Sequence, residues 1–245
     1  MVIDLRVVVE SEFRAGDVLK VSCSFTPARV IDVSSAHVSI RWPWWQSDPD
    51  AVGFDWNGNV AIARGADMPD WSAELFRTEP SAETLQAGAD CRVGIPPTVV
   101  HVIEVQSFDP PIETGWLPRP HCEIVVLRRG VSEDVNAVEQ GSGINPYDDI
   151  PLIIDLVFRP YAFLNIGDDV ADCRGRLWRF DGPWDLYAYD RQEGIPTWPL
   201  ALVAGGDGSV DAERQALVAA ATTIGSHETE IETWRRAVHA EPPAR

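Results

Sequence analysis

Hydrophobic and polar positions alternate along the first two thirds of the chain. In "VIDLRVVVE" Ile3, Leu5, Val7 and Val9 alternate with Asp4, Arg6, Val8 and Glu10, and a period of two marks a half-buried strand. In "GDVLKVSCSF" Leu19, Val21, Cys23 and Phe25 share one apolar face, and in "HCEIVV" Cys122 shares a face with Ile124 and Val126. The pattern predicts strands over residues 17–25, 36–42, 52–56 with 59–63, 98–108, 121–128 and 151–158. "FDWNGNVAIA" reads as a hairpin, because Asn57-Gly58 suits the positive φ angles of a type I′ turn.

Residues 130–150, "GVSEDVNAVEQGSGINPYDDI", lose the alternation and are rich in turn formers, as a linker or long loop would be. Beyond them "RLWRFDGPWDLYAYD" and its flanks pack aromatics between turn signals at Gly167-Asp168, Arg174-Gly175 and Asp181-Gly182-Pro183. That predicts a small meander of three or four strands, either an SH3-like barrel or added strands on the first sheet. In the tail the period changes: Val210, Leu217, Ala221, Ile224, Ile231, Trp234 and Val238 recur at spacings of three, four or seven, one stripe of a helix. Acids at Asp211 and Glu213 and bases at Arg235, Arg236 and His239 suit the two ends of its dipole. Gly225-Ser226 is a candidate break.

The predicted fold is therefore mainly β, an antiparallel sandwich or barrel plus a smaller SH3-like meander and a C-terminal amphipathic helical segment. The expected divisions are a β domain at 1–130, a linker or long loop at 131–150, the meander at 151–207 and a helical tail at 208–245. Strand-helix alternation and a glycine-rich phosphate loop are both missing from the sequence, which argues against a dinucleotide fold.

Composition narrows the function. A chain of 245 residues with 45% hydrophobic positions can bury a core without disulfides or metals. Cys23, Cys91, Cys122 and Cys173 form no CxxC pair and have no histidine at zinc-ligand spacing, so neither a metal nor another cofactor is expected. The N-terminus lacks a basic start and a small-residue cleavage site, which together with the unpaired cysteines predicts a cytoplasmic protein. The net charge is −18, and the only lysine is Lys20. Such a surface repels phosphates, so neither nucleic acid nor an anionic membrane is an expected partner, whereas a basic protein is.

One stretch carries candidate binding residues. "RWPWWQSDPD" places Trp42, Trp44 and Trp45 around Pro43, followed by Asp48 and Asp50, with Asp55 and Trp56 downstream. Trp42 belongs to the apolar face of its strand with Val38 and Ile40, so it is assigned to the core. Trp44 and Trp45 are adjacent, and an extended chain sends neighbours to opposite sides. Trp44, Trp45, Asp48, Asp50, Asp55 and Trp56 are therefore the binding candidates. Hydrolase signatures are missing: there is no GxSxG elbow, and His101, within "VVHVIEV" and near Glu104, is the one histidine in an apolar run.

These features predict a non-catalytic protein-binding protein with an acidic, tryptophan-bearing surface, in concrete form an immunity or antitoxin protein for a basic effector. The alternatives are a carbohydrate-binding or glycoside-hydrolysing protein using the tryptophans and aspartates at 44–56, and a structural subunit of a larger assembly.

Overall fold

Two long strands, β1 (Val18–Val33) and β5 (Asp90–Ser107), organise the larger sheet. The structure is a computed structural model and describes residues 13–45, 57–64, 75–108, 113–114, 117–118, 122–134, 136–137, 140–147 and 150–239. The protein is mainly β, with 44% of residues in strands against 14% in helices. The expected strands at 2–10 and 52–56 lie outside the described residues.

The other strands of this part are β2 (His37–Arg41), β3 (Asn59–Ala63), β4 (Arg77–Glu79), β6 (Glu113–Thr114), β7 (Leu117–Pro118), β8 (Cys122–Arg128), β9 (Ser142–Ile144) and β10 (Leu152–Phe158). The sheet runs β3-β2-β1-β5-β8-β9, with β10 added to β1 and β4 to β5, and it curls into a half-barrel. β6 and β7 form a separate two-stranded ribbon. Prolines mark where β5 changes partner. Its first part pairs with β4 over Arg92–Gly94 and its second with β8 over Val100–Ser107, and between them lie Pro96 and Pro97, which have no N–H to give a ladder. Gly94 is required where β5 meets β1, because a Cβ there would lie 2.8 Å from the Cys23 carbonyl and 2.9 Å from the Phe25 Cα.

The curl holds two apolar clusters, one for each half of the long strands. Leu19, Val21 and Cys23 of β1 meet Ile95, Val100 and Val102 of β5 and Ile124 and Val126 of β8. Val30 of β1 meets Cys91 and Val93 of β5, Val38 and Ile40 of β2 and Ile62 of β3. The alternation in the sequence is what brings these side chains to one face. Burial pushes up the thiol pKa of Cys23, Cys91 and Cys122, so these cysteines are packing residues with little thiolate character.

The chain divides into two compact units. The first takes in Leu19–Asp155, and the second combines Leu156–Arg245 with Ala15–Val18. The second contains β11 (Asp168–Ala171), β12 (Leu177–Gly182), β13 (Asp185–Ala188) and β14 (Ala201–Ala204), followed by α1 (Ala212–Ala221) and α2 (His227–His239). Its sheet has the order β13-β12-β11-β14, a meander whose fourth strand returns beside the first, as in a Greek key. The turn signals fall where the chain reverses: Gly167 and Gly175 both have positive φ and flank β11. The core beneath is Tyr161, Leu164, Val170, Trp178, Phe180, Leu200, Leu202 and Val218.

The predicted helical stripe is kept in α2 and lost in α1. In α2 Val238 is buried and Ile231 and Trp234 are half-buried, whereas in α1 the buried residue is Val218 and Leu217 is 55% exposed; Ile224, beyond the end of α1, is 87% exposed. Gly225, with a φ of 106°, lies between two separate helices, so each takes its own phase, and in α1 packing places Val218 in the core of the second unit. Each helix has its own N-terminal start: Asp211 accepts from Glu213 N–H at 2.9 Å, and the Ser226 hydroxyl accepts from Thr229 N–H at 3.2 Å.

Two buried carboxylates tie this unit together. Asp17 receives Nε and Nη2 of Arg159 at 2.7 and 2.6 Å, and Asp168 receives both terminal nitrogens of Arg214. Both aspartates are fully buried. The segment before β1 is held further by the Trp234 indole, which donates to the Gly16 carbonyl at 2.8 Å.

Candidate functional site

Trp44 and Trp45 are both half-buried and pack against different neighbours. Trp44 packs against both apolar clusters of the first unit, with its ring centroid 4.9 Å from that of Trp42 and 5.9 Å from that of Phe76. The Trp45 ring covers Gly58, where any Cβ would collide with it, and has the Arg41 guanidinium 5.2 Å from its centroid. Arg41 also donates to the Asn57 carbonyl. This arrangement gives Gly58, at φ 70°, a steric reason in addition to its backbone angle. Asp48, Asp50, Asp55 and Trp56 lie outside the described residues.

His101 is buried in β5, and the Glu104 carboxylate accepts from the Gln106 amide at 2.9 Å. Among the described residues no group of three or more His, Cys, Asp or Glu side chains is placed to hold a metal ion, and no helix is long and apolar enough to cross a membrane.

The second unit presents a different surface. Period-two alternation in β12 sends Trp178 and Phe180 into the core and leaves Leu177, Arg179 and Asp181 outward. Register then assembles a face, because Asp169 of β11 lies opposite Arg179 of β12, and Arg179 opposite Tyr187 of β13. Just past β13, Tyr189 N–H donates to the Leu177 carbonyl at 3.1 Å. Its phenol crosses back to donate to Asp169 Oδ1 at 2.7 Å, and Arg179 Nε donates to Asp181 at 3.1 Å. Tyr187 and Tyr189 are 58% and 56% exposed, and Leu177 is 43% exposed.

This face combines two tyrosines and an arginine, residue types that dominate binding energy at protein interfaces, with an apolar neighbour. Tyr189, Arg179, Asp169 and Asp181 are already joined by hydrogen bonds, so these side chains have little rotamer freedom left to lose on binding. The hydrogen bond to Asp169 raises the Tyr189 pKa, with burial adding to it, so the phenol stays protonated as a donor. Asp169 and Asp181 lie beside Arg179, and Asp185 is exposed on the same strand as Tyr187, giving the face the same sign as the whole chain. The residues were present in the alternation of "RLWRFDGPWDLYAYD", but only the covered inner face identifies Tyr187 and Tyr189 as outward.

A second polar cluster lies in the same unit. Tyr161 is fully buried with a left-handed backbone, φ 54°. The first turn of α2 grips it twice: the Glu230 carboxylate accepts its N–H at 2.8 Å, and its phenol is hydrogen-bonded to His227 Nδ1. Burial raises the Tyr161 pKa, with the Glu230 charge adding to it, and lowers that of His227. Both groups are thereby held neutral. Such a pair braces a strained residue; a phenol with a raised pKa is a poor general base.

Comparisons with protein-family models, with curated proteins and with solved structures return no match to this chain.

Proposed function

We propose that this chain is a non-catalytic protein-binding protein that engages a basic partner through the outward face of its second sheet, centred on Tyr187, Tyr189, Leu177 and Arg179. The observation that carries the reading is the exposed tyrosine pair on an acidic face, with Tyr189 tethered to Asp169. The net charge of −18 supports a cationic partner, since complementary charge speeds encounter and rejects wrong partners. The concrete form is a cytoplasmic immunity or antitoxin protein that occludes a basic effector.

The test is co-expression with the basic proteins encoded beside it, followed by size-exclusion chromatography. The expected result is a discrete complex that dissociates as salt rises from about 0.05 to about 0.5 M, as screening shortens the reach of surface charge. Failure of each of these proteins to form a complex overturns the reading.

A further inference from the structure

The apolar stripe that periodicity predicts for the tail is exposed along α1. Residues 215–225 carry no ionisable side chain, and Val210, Leu217 and Ile224 are 59%, 55% and 87% exposed. Ile224 is the most exposed large hydrophobic residue among the described residues. Single surface hydrophobics are ordinary, whereas a row of them along one element marks a contact. Packing fixes which side of α1 is turned in. Arg214 donates to Asp168, the Gln215 amide donates to the Leu202 carbonyl at 3.1 Å, Val218 enters the core, and the Thr222 hydroxyl accepts from Leu200 N–H at 2.9 Å. Leu217 stands about 100° around the axis from Val218. Val210 and Ile224 lie beyond the caps of the helix, seven residues either side of Leu217, a spacing close to two turns.

That spacing makes the row complementary to itself. Two copies of α1 laid antiparallel across a two-fold axis at Leu217 bring Leu217 onto Leu217 and Val210 onto Ile224 of the second copy. Glu213, the charge beside the row, then comes opposite Ala221 of the second copy and not opposite a carboxylate. Ala220 and Ala221, small and exposed, allow the two helices to approach closely. Charge selects the occupant. With a net charge of −18, two copies of this chain repel wherever acidic surfaces meet, and an uncharged row is where they can touch. A basic partner finds no ring of carboxylates here to hold it.

We infer that Val210, Leu217 and Ile224 form a self-association surface on which a second copy of this chain docks, α1 against α1. The helix has ten residues, about 15 Å of length, and covers less than the roughly 800 Å² per partner of a standard interface. The dimer is therefore weak, with a Kd on the order of 10–100 μM. Val218 shares its cluster with Trp178 and Phe180, the inward residues of β12, so α1 lies across the sheet from Tyr187 and Tyr189. Dimerisation leaves both tyrosine faces open, and it stands or falls independently of what they bind.

The experiment is sedimentation equilibrium of the full chain from about 5 to about 300 μM. The native chain is expected to pass from monomer to dimer across this range. Leu217→Glu is expected to weaken the dimer at least about tenfold, since it buries a carboxylate pair at the axis, with a melting temperature within about 2 °C of the native value at low concentration. Val210→Lys and Ile224→Glu are each expected to weaken it, and the two together in one chain to recover part of the loss. These positions are about 21 Å apart along one helix, so recovery is a contact between copies. A monomer at every concentration, or a dimer as tight in Leu217→Glu as in the native chain, overturns the inference. Losses that simply add in the double variant overturn the antiparallel register. A monomer whose melting temperature falls in Leu217→Glu also overturns it and assigns the row to a segment of the same chain.

Discussion

The Tyr189 phenol reaches across β12 to the Asp169 carboxylate at 2.7 Å. An exposed aromatic side chain is thereby fixed in one orientation on the outward face of the second sheet, with Arg179 beside it in the same network. A surface ring held this way contributes nothing to the core, so its contribution is available to a partner. Tyr187→Ala and Tyr189→Ala are expected to weaken partner binding by about 2 kcal/mol each while changing folding stability by less than about 0.5 kcal/mol. Calorimetric titration beside thermal melting separates the two effects, and loss of stability without loss of affinity would refute the assignment.

Asp168 is fully buried and both its oxygens are taken by Arg214. Removing the cation strands a carboxylate away from water. Arg214→Met is expected to destabilise the second unit by about 3–5 kcal/mol, and Asp168→Asn with Arg214→Met to recover part of that loss. Urea denaturation of the two variants measures it; equal destabilisation in the single and double variants would contradict the pairing.

Trp44 contacts both apolar clusters, so truncating it opens a hole where they join. Trp44→Ala is expected to cost about 3 kcal/mol, and Trp45→Ala, whose ring lies over the Gly58 turn, about 1 kcal/mol. Guanidinium melts of the two variants decide the order, and the reverse order would refute this division of roles.

His227 gives the second unit a pH dependence. Burial lowers its pKa, against a smaller opposing effect of Glu228, whereas in the unfolded chain the imidazole titrates near pH 6.5. As pH falls below about 6.5 the unfolded state takes up a proton that the folded state resists, so stability is full above that value and declines below it. Thermal melting between about pH 7.5 and 5.5 should show this decline, reduced in His227→Gln. An identical pH profile in the variant would rule out His227 as the source.

Strand periodicity in the sequence identifies much of the fold. The faces of "GDVLKVSCSF" and "HCEIVV" are the buried faces of β1 and β8, and the Gly-Asp and Arg-Gly signals sit at the turns of the second sheet. These are local properties of chain geometry, so local sequence carries them. Where tertiary packing decides, local sequence carries less of the answer. Leu217 and Val218 are both apolar neighbours on a helix, and only the position of α1 against β14 makes Val218 the buried one. Tyr187 and Tyr189 alternate with Leu186 and Ala188, yet the choice of outward face depends on what covers the other side. Asp172, Arg176 and Asp190 carry no motif, because the clamp they form joins residues that hydrogen bonding brings together only after folding.

Binding of a basic protein by the outward face of β11, β12 and β13 is the central proposal. The most direct measurement is calorimetric titration of a basic partner into the native chain and into the Tyr187→Ala/Tyr189→Ala double variant, at about 0.05 and 0.5 M salt. The expected result is salt-sensitive binding to the native chain and a loss of at least about a hundredfold in the double variant, with its melting temperature unchanged. Equal affinity for both proteins at both salt concentrations would contradict it.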